Sequence, residues 1–193
     1  MPGAVTNPQQ LVVAARTFVY LAPVATAFPA DVDTAPAAEW ISVGLTEEDG
    51  LKFSTEPDFQ EITSAQSDFP VRRVQTKDAA SIEVTLQEWS GANFQAVFGG
   101  GTITKTGTAP SEVYKFTPPQ IGERIERACM LETYDGDKIY RFAFPRVFQI
   151  EGVELEFKKT NASTLPLKLG ILGGDGTAPW YAITNDPAFD VAP

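Results

Sequence analysis

The plainest pattern along the chain is the alternation of Ile82, Val84 and Leu86 with Glu83, Thr85 and Gln87. A period of two sends successive side chains to opposite faces of a strand, so residues 80–88 are read as a strand with one buried and one wet face. The period then changes. Phe94, Val97 and Phe98 fall at i, i+3 and i+4, with Ser90 or Asn93 to cap and Gly99 to supply a left-handed stop. That predicts a short amphipathic helix docked on a sheet.

Elsewhere the pattern is of short strands between turn residues. Strands are predicted at 17–22 and at 40–45, the latter with Ile41, Val43 and Leu45 on one face. A return at 51–54 follows a turn at Glu48-Asp49-Gly50. Pro57 limits the next strand to 58–62, residues 64–68 are polar loop, and 70–76 is extended after Pro70. An edge strand is read at Ile103 and another strand at 113–117. Residues 123–132 fit a helix or a strand; strand is favoured, because Tyr134-Asp135-Gly136-Asp137 makes a hairpin turn into a strand at 138–144, which Pro145 ends. A strand over 148–157 is interrupted near Gly152. Leu165, Leu167, Leu169 and Ile171 alternate, and 180–184 is the last strand. Residues 23–38, with three prolines, are loop.

Composition adds turns and a size. Fifteen Gly and fifteen Pro suit many short strands, and 193 residues suit one domain. The division expected is an arm at 1–10, a single β domain at 11–185 and a tail at 186–193. The fold class read from these patterns is mostly antiparallel β with one short helix.

Charge and chemistry narrow the function more than the fold. There is no His and a single Cys, Cys129. This removes the commonest general base, the commonest metal ligand, and any internal disulfide. No catalytic residue, metal or cofactor is expected, and the chain is read as a non-enzyme. No secretion signal is visible, and the apolar run at 18–28 is broken by Pro23 and too short to span a bilayer, so no membrane partner is expected. The net charge of −10 argues against a nucleic-acid binder. It is compatible with DNA that must pass without sticking. Residues 40–99 carry ten acids against four bases and so supply six of that deficit.

Candidate motifs resolve to structural readings. Gly173-Gly174-Asp175-Gly176 lacks the Lys-Ser/Thr of a phosphate loop and reads as a turn. Asp135-Gly136-Asp137 lacks the further oxygen ligands of a calcium loop. Glu47-Glu48-Asp49 and the pair Glu154 and Glu156 read as solvated turns and strand faces. Cys129, beside Met130 and Leu131, reads as a buried inert thiol. Arg72-Arg73 is either a surface pair or an inter-subunit ion-pair site. So many short strands leave open edges, and neighbouring copies are one physical way to close them.

The ordered set APVATAFP at 22–29, WISVGLTEEDGLKFS at 40–54, FPVRRVQT at 69–76, IEVTLQEW at 82–89 and FGGG at 98–101 resembles the major tail tube proteins of long-tailed, non-contractile bacteriophages. The resemblance covers residues 21–101; beyond them only the general β character agrees. For the fold, it implies two packed antiparallel β-sheets, as a sandwich or half-open barrel, with one short flanking helix. For assembly, it implies hexameric rings stacked into a hollow tube around a tape-measure protein, with tail terminator and tip proteins as further partners and DNA passing through. It also implies a place in the virion tail, with assembly in the host bacterial cytoplasm. Under it, Glu83, Thr85 and Gln87 are expected to line the bore or a wet interface. The segment 55–80, with Glu56, Asp58, Glu61, Arg72 and Arg73, is expected to make contacts between subunits or rings. An alternative reading is a carbohydrate-binding adhesion sandwich from a virion tip; a His-free glycosidase with two facing carboxylates is another.

Overall fold

The computed structural model describes residues 7–157, 159, 160, 162–173, 176 and 178–190. In chain order the strands are β1 (Arg16–Pro23), β2 (Ile41–Ser42), β3 (Thr46–Ser64), β4 (Ser67–Leu86), β5 (Thr102–Thr106), β6 (Val113–Thr117), β7 (Arg127–Asp135), β8 (Lys138–Gln149), β9 (Leu165–Ile171) and β10 (Tyr181–Thr184). The α-helix α1 (Gly91–Val97) lies between β4 and β5. Among the described residues the fold is mostly β, with two antiparallel sheets and one α-helix, and the larger sheet is not closed into a barrel.

Contacts divide the chain into two compact units. The first comprises the described parts of 1–44, 127–146 and 173–193. Its strand order is β2-β1-β7-β8, with β10 on the other side of β8. β7 is buried on both faces from Ala128 to Glu132, as a central strand should be. Ala22, Trp40, Ala128 and Met130 form a core cluster against which Tyr20 and Phe28 pack. Cys129 is fully buried, and that burial pushes its thiol well above the ordinary range, as an inert core cysteine requires. β7 and β8 are joined across Gly136, whose φ of 60° is the left-handed value a tight turn uses.

The second unit comprises 45–126 and the described parts of 147–172. Here Val147–Gln149 at the end of β8 pairs with β9, β9 with β4, and β4 with β3. β5 and β6 make the separate two-stranded sheet. Ile82, Val84 and Leu86 sit opposite Leu169, Leu167 and Leu165, and all six are buried. α1 packs on β9 and buries Ala96, Val97 and Asn93. Ser90 is its N-cap, accepting from the Asn93 N–H at 3.1 Å, and Asn93 Nδ2 donates to the Glu88 carbonyl at 2.8 Å. Beyond the helix Gly99, Gly100 and Gly101 all have positive φ. A Cβ at Gly101 would stand 2.5 Å from the Thr117 carbonyl oxygen, so glycine is required there.

The helix and its cap, and strands at 17–22, 113–117, 165–171 and 180–184, agree with their sequence patterns to within two residues, whereas the alternating strand read at 80–88 is only the inner end of β4, which starts at Ser67 and ends at Leu86. Other expectations are overturned. Only Ile41–Ser42 of 40–45 is strand, and the exposed large apolar residues there are Ile41 and Leu45. Trp40 turns inward instead: its Nε1 donates to the Ala27 carbonyl and its ring lies 4.7 Å from that of Phe28. Gly44, at φ 79°, then breaks the run. Glu48-Asp49-Gly50 is not a turn. Pairing moves from Thr46↔Leu86 to Leu51↔Val84, five residues on β3 against two on β4, so these residues are absorbed as a bulge inside one strand.

Pro57 does not begin a strand but sits within β3 opposite Asp78, tolerated because β3 is an edge strand. Residues 64–68 are the tight end of a hairpin rather than a loop, since Ser64 pairs with Ser67. Pro145 does not end β8. It falls between the stretch paired with β10 and the stretch paired with β9, where neither ladder uses it. Of the strand expected at 148–157, only Phe148 and Gln149 are in a strand. Within the Gly173–Gly176 turn, Gly174 and Asp175 lie outside the described residues, as do 1–6 of the N-terminal arm and 191–193 of the tail. Residues Pro187–Phe189 form a 3-10 turn capped by Asp186.

Candidate assembly surface

β3 and β4 form one long antiparallel hairpin with two contrasting halves. At its base, residues 82–86 alternate buried and half-buried, and β9 flanks β4. Beyond Thr55 on β3, and up to Asp78 on β4, every residue whose side chain is described is exposed except the half-buried Ser64. A ribbon with no third strand and no covering layer holds little stability of its own. At about 3.3 Å per residue, the ten residues 55–64 carry this arm roughly 33 Å along its strand. A register shift between Asp58 and Phe59, where Thr76 is left out of the ladder, marks the start of the outer part.

The five expected contact residues all lie on this arm. Glu56 stands opposite Ala79 and Asp58 opposite Lys77. Glu61 faces Arg73 directly, and Arg73 Nη2 reaches its Oε1 at 2.6 Å. Both partners are exposed, so the pair orients the side chains more than it stabilises the fold. Arg72 projects from the other face opposite Ile62. The arm also exposes apolar side chains that the sequence reading passed over, among them Phe59, Ile62, Phe69, Val71 and Val74.

The wet face of the base carries Glu83 and Thr85, with Gln87 one residue past the end of β4, its N–H held by the Leu45 carbonyl at 2.8 Å. Register sets Glu83 between Lys52 of β3 and Lys168 of β9. Lys168 Nζ lies 2.6 Å from Glu83 and 3.7 Å from Glu151. The Lys168 hydrogen bond, then its charge, hold the Glu83 carboxyl below the usual range, and the Glu83 hydrogen bond in turn raises the Lys168 ammonium. These residues line an open cleft of about 250 Å³ with Thr85 and Gln149. The face is thus a mixed-charge ladder rather than an acidic strip. Lys52 and Lys168 could be found only from the strand register, which the sequence does not display.

The family model described as phage tail tube protein matches residues 4–193, nearly the whole chain. The chain belongs to the phage tail tube proteins. The match extends the likeness from residues 21–101 to almost every element above. A search of the curated proteins gives no match. Membership carries a structural role in the tail tube of a bacteriophage virion, and assembly with itself and with other tail components. A tail tube subunit needs surfaces for its neighbours, and the β3–β4 arm is exposed along its outer part.

Proposed function

We propose that this chain is the repeating wall subunit of the tail tube, assembling as hexameric rings that stack into the conduit for DNA ejection. The observation that carries the reading is the arm, which has no core of its own in a protein whose family assembles with itself. Residues 55–80 contact neighbouring subunits or rings, with Glu56, Asp58, Glu61, Arg72 and Arg73 giving those contacts orientation. The tape-measure protein occupies the tube before DNA does, and terminator and tip proteins close its ends. Assembly takes place in the cytoplasm of the host bacterium, from a single domain spanning 11–185 with short terminal segments.

Glu83, Thr85 and Gln87 face the bore in this reading. A chain of net charge −10 repels phosphate overall. At this row Lys52 and Lys168 offset the carboxylates, leaving a wall that neither grips nor strongly expels DNA. Electron microscopy of the concentrated purified protein tests the reading. Stacked rings of six copies around a bore, with Glu83 and Thr85 facing the axis at side-chain resolution, are expected. Those two residues facing outward would overturn the bore assignment, and another ring number would overturn the hexamer.

A further inference from the structure

We infer that Phe69 is the anchor by which the arm docks on an apolar surface of a second copy of this chain. This rests on the self-assembly reading above. Phe69 is 79% exposed, although aromatic side chains normally supply the largest apolar burial available to a fold. It stands beside the hairpin end, and the local chain is arranged to hold it there. Pairing runs Ile62↔Arg72 and then Ser64↔Ser67, two residues on β3 against five on β4. The three extra residues of β4 leave the ladder, and Phe69 lies in that excess stretch.

Its backbone is nonetheless fixed. The Ser67 hydroxyl donates to the Phe69 carbonyl at 2.9 Å and accepts from the Phe69 N–H at 3.3 Å. Pro70 confines Phe69 to extended backbone. On the other strand the Ser64 hydroxyl donates to Gln66 Oε1 at 2.5 Å and accepts from the Gln66 N–H at 3.4 Å, bracing the turn. A large apolar side chain on a pre-set backbone loses little freedom on docking, which is the property of an interface anchor. Phe59 at 56% and Val71 at 61% exposure extend the apolar surface along the arm. The occupant is a second copy because none of the described residues of the same chain covers Phe69, and because this family assembles with itself.

The test uses the full-length chain with Phe69→Ser, Phe69→Trp and a Gln60→Ser control on the same arm. Phe69→Ser is expected to keep the wild-type melting curve and to raise the concentration needed for assembly at least tenfold by sedimentation velocity. Gln60→Ser should assemble normally. Phe69→Trp should assemble, with its fluorescence, taken as the difference from wild type, shifting to the blue as the indole is buried. Phe69→Ser assembling like wild type, or an unshifted difference signal from Phe69→Trp in formed tubes, overturns the anchor and leaves the tube reading intact. A wild-type chain that stays monomeric at every concentration overturns the self-assembly reading and the anchor with it.

Discussion

Glu132 and Arg141 show how the interior of the first unit handles charge. Arg141 Nε donates to Glu132 Oε1 at 2.6 Å, with Nη2 on the same oxygen, and both side chains are almost wholly buried. The guanidinium also donates to the carbonyls of Asp31, Val32 and Thr34, so one side chain fastens the 31–34 loop to the sheet. Replacing Arg141 by Ala leaves a buried carboxylate unpaired and the loop carbonyls unmet, a loss of about 3–5 kcal/mol. Urea denaturation of Arg141→Ala should show that loss; a change within about 1 kcal/mol would mean that water or another cation replaces the guanidinium. Neither residue stands out in the sequence. Each is an ordinary charge in an apolar stretch, and only the β7–β8 pairing brings them together.

Elements are legible to the extent that one of their faces is buried. β4 is clear at 82–86 because Ile82, Val84 and Leu86 alternate against a core, and unreadable at 67–78 because both faces there are exposed. A strand without a buried face imposes no period, so the arm reads as two short strands and a loop. Pro57 and Pro145 read as strand ends because the chain does not reveal which strands are edges or where a ladder changes partner. The mixed-charge face has the same cause: Glu83 is visible, but Lys52 and Lys168 are 31 residues before it and 85 after it and meet it only through register. The tail reading misses that Asp186 ties the last 3-10 turn to β8. Its Oδ2 accepts from the Tyr140 hydroxyl at 2.5 Å and from Lys138 at 2.9 Å, and its Oδ1 caps Ala188.

That tie has a pH dependence with a definite sign. The Tyr140 hydrogen bond, the Ala188 N–H and Lys138 together hold the Asp186 carboxyl down to about 2. A carboxyl whose folded value lies below its unfolded value, about 3.9, contributes stability that is complete above the unfolded value. The contribution is lost as the pH falls through the folded value. Hydrogen exchange of residues 188–190, taken relative to the intrinsic rate at each pH, should therefore stay slow at about pH 5 and quicken between roughly pH 4 and pH 2, the span between the two values. In Asp186→Asn it should already be fast at about pH 5. Exchange that is the same in both proteins at that pH would show that the carboxylate does not hold this turn.

At the scale of the whole molecule, the chain places its core in two units and leaves a long ribbon outside any core. The chain's family assembles with itself, and the proposed reading gives this element to those contacts. In the proposed reading, the exposed apolar residues on the arm are a surface for a second copy. The most direct test compares the full chain with one in which residues 59–76 are replaced by Asn-Gly, closing Asp58 onto its partner Lys77 with a two-residue turn. The shortened chain should melt like the full chain, since the removed residues are exposed. It should also stay a single species of monomer mass in sedimentation velocity, at concentrations where the full chain forms tubes. A shortened chain that is folded and still assembles into the same tubes would contradict the account.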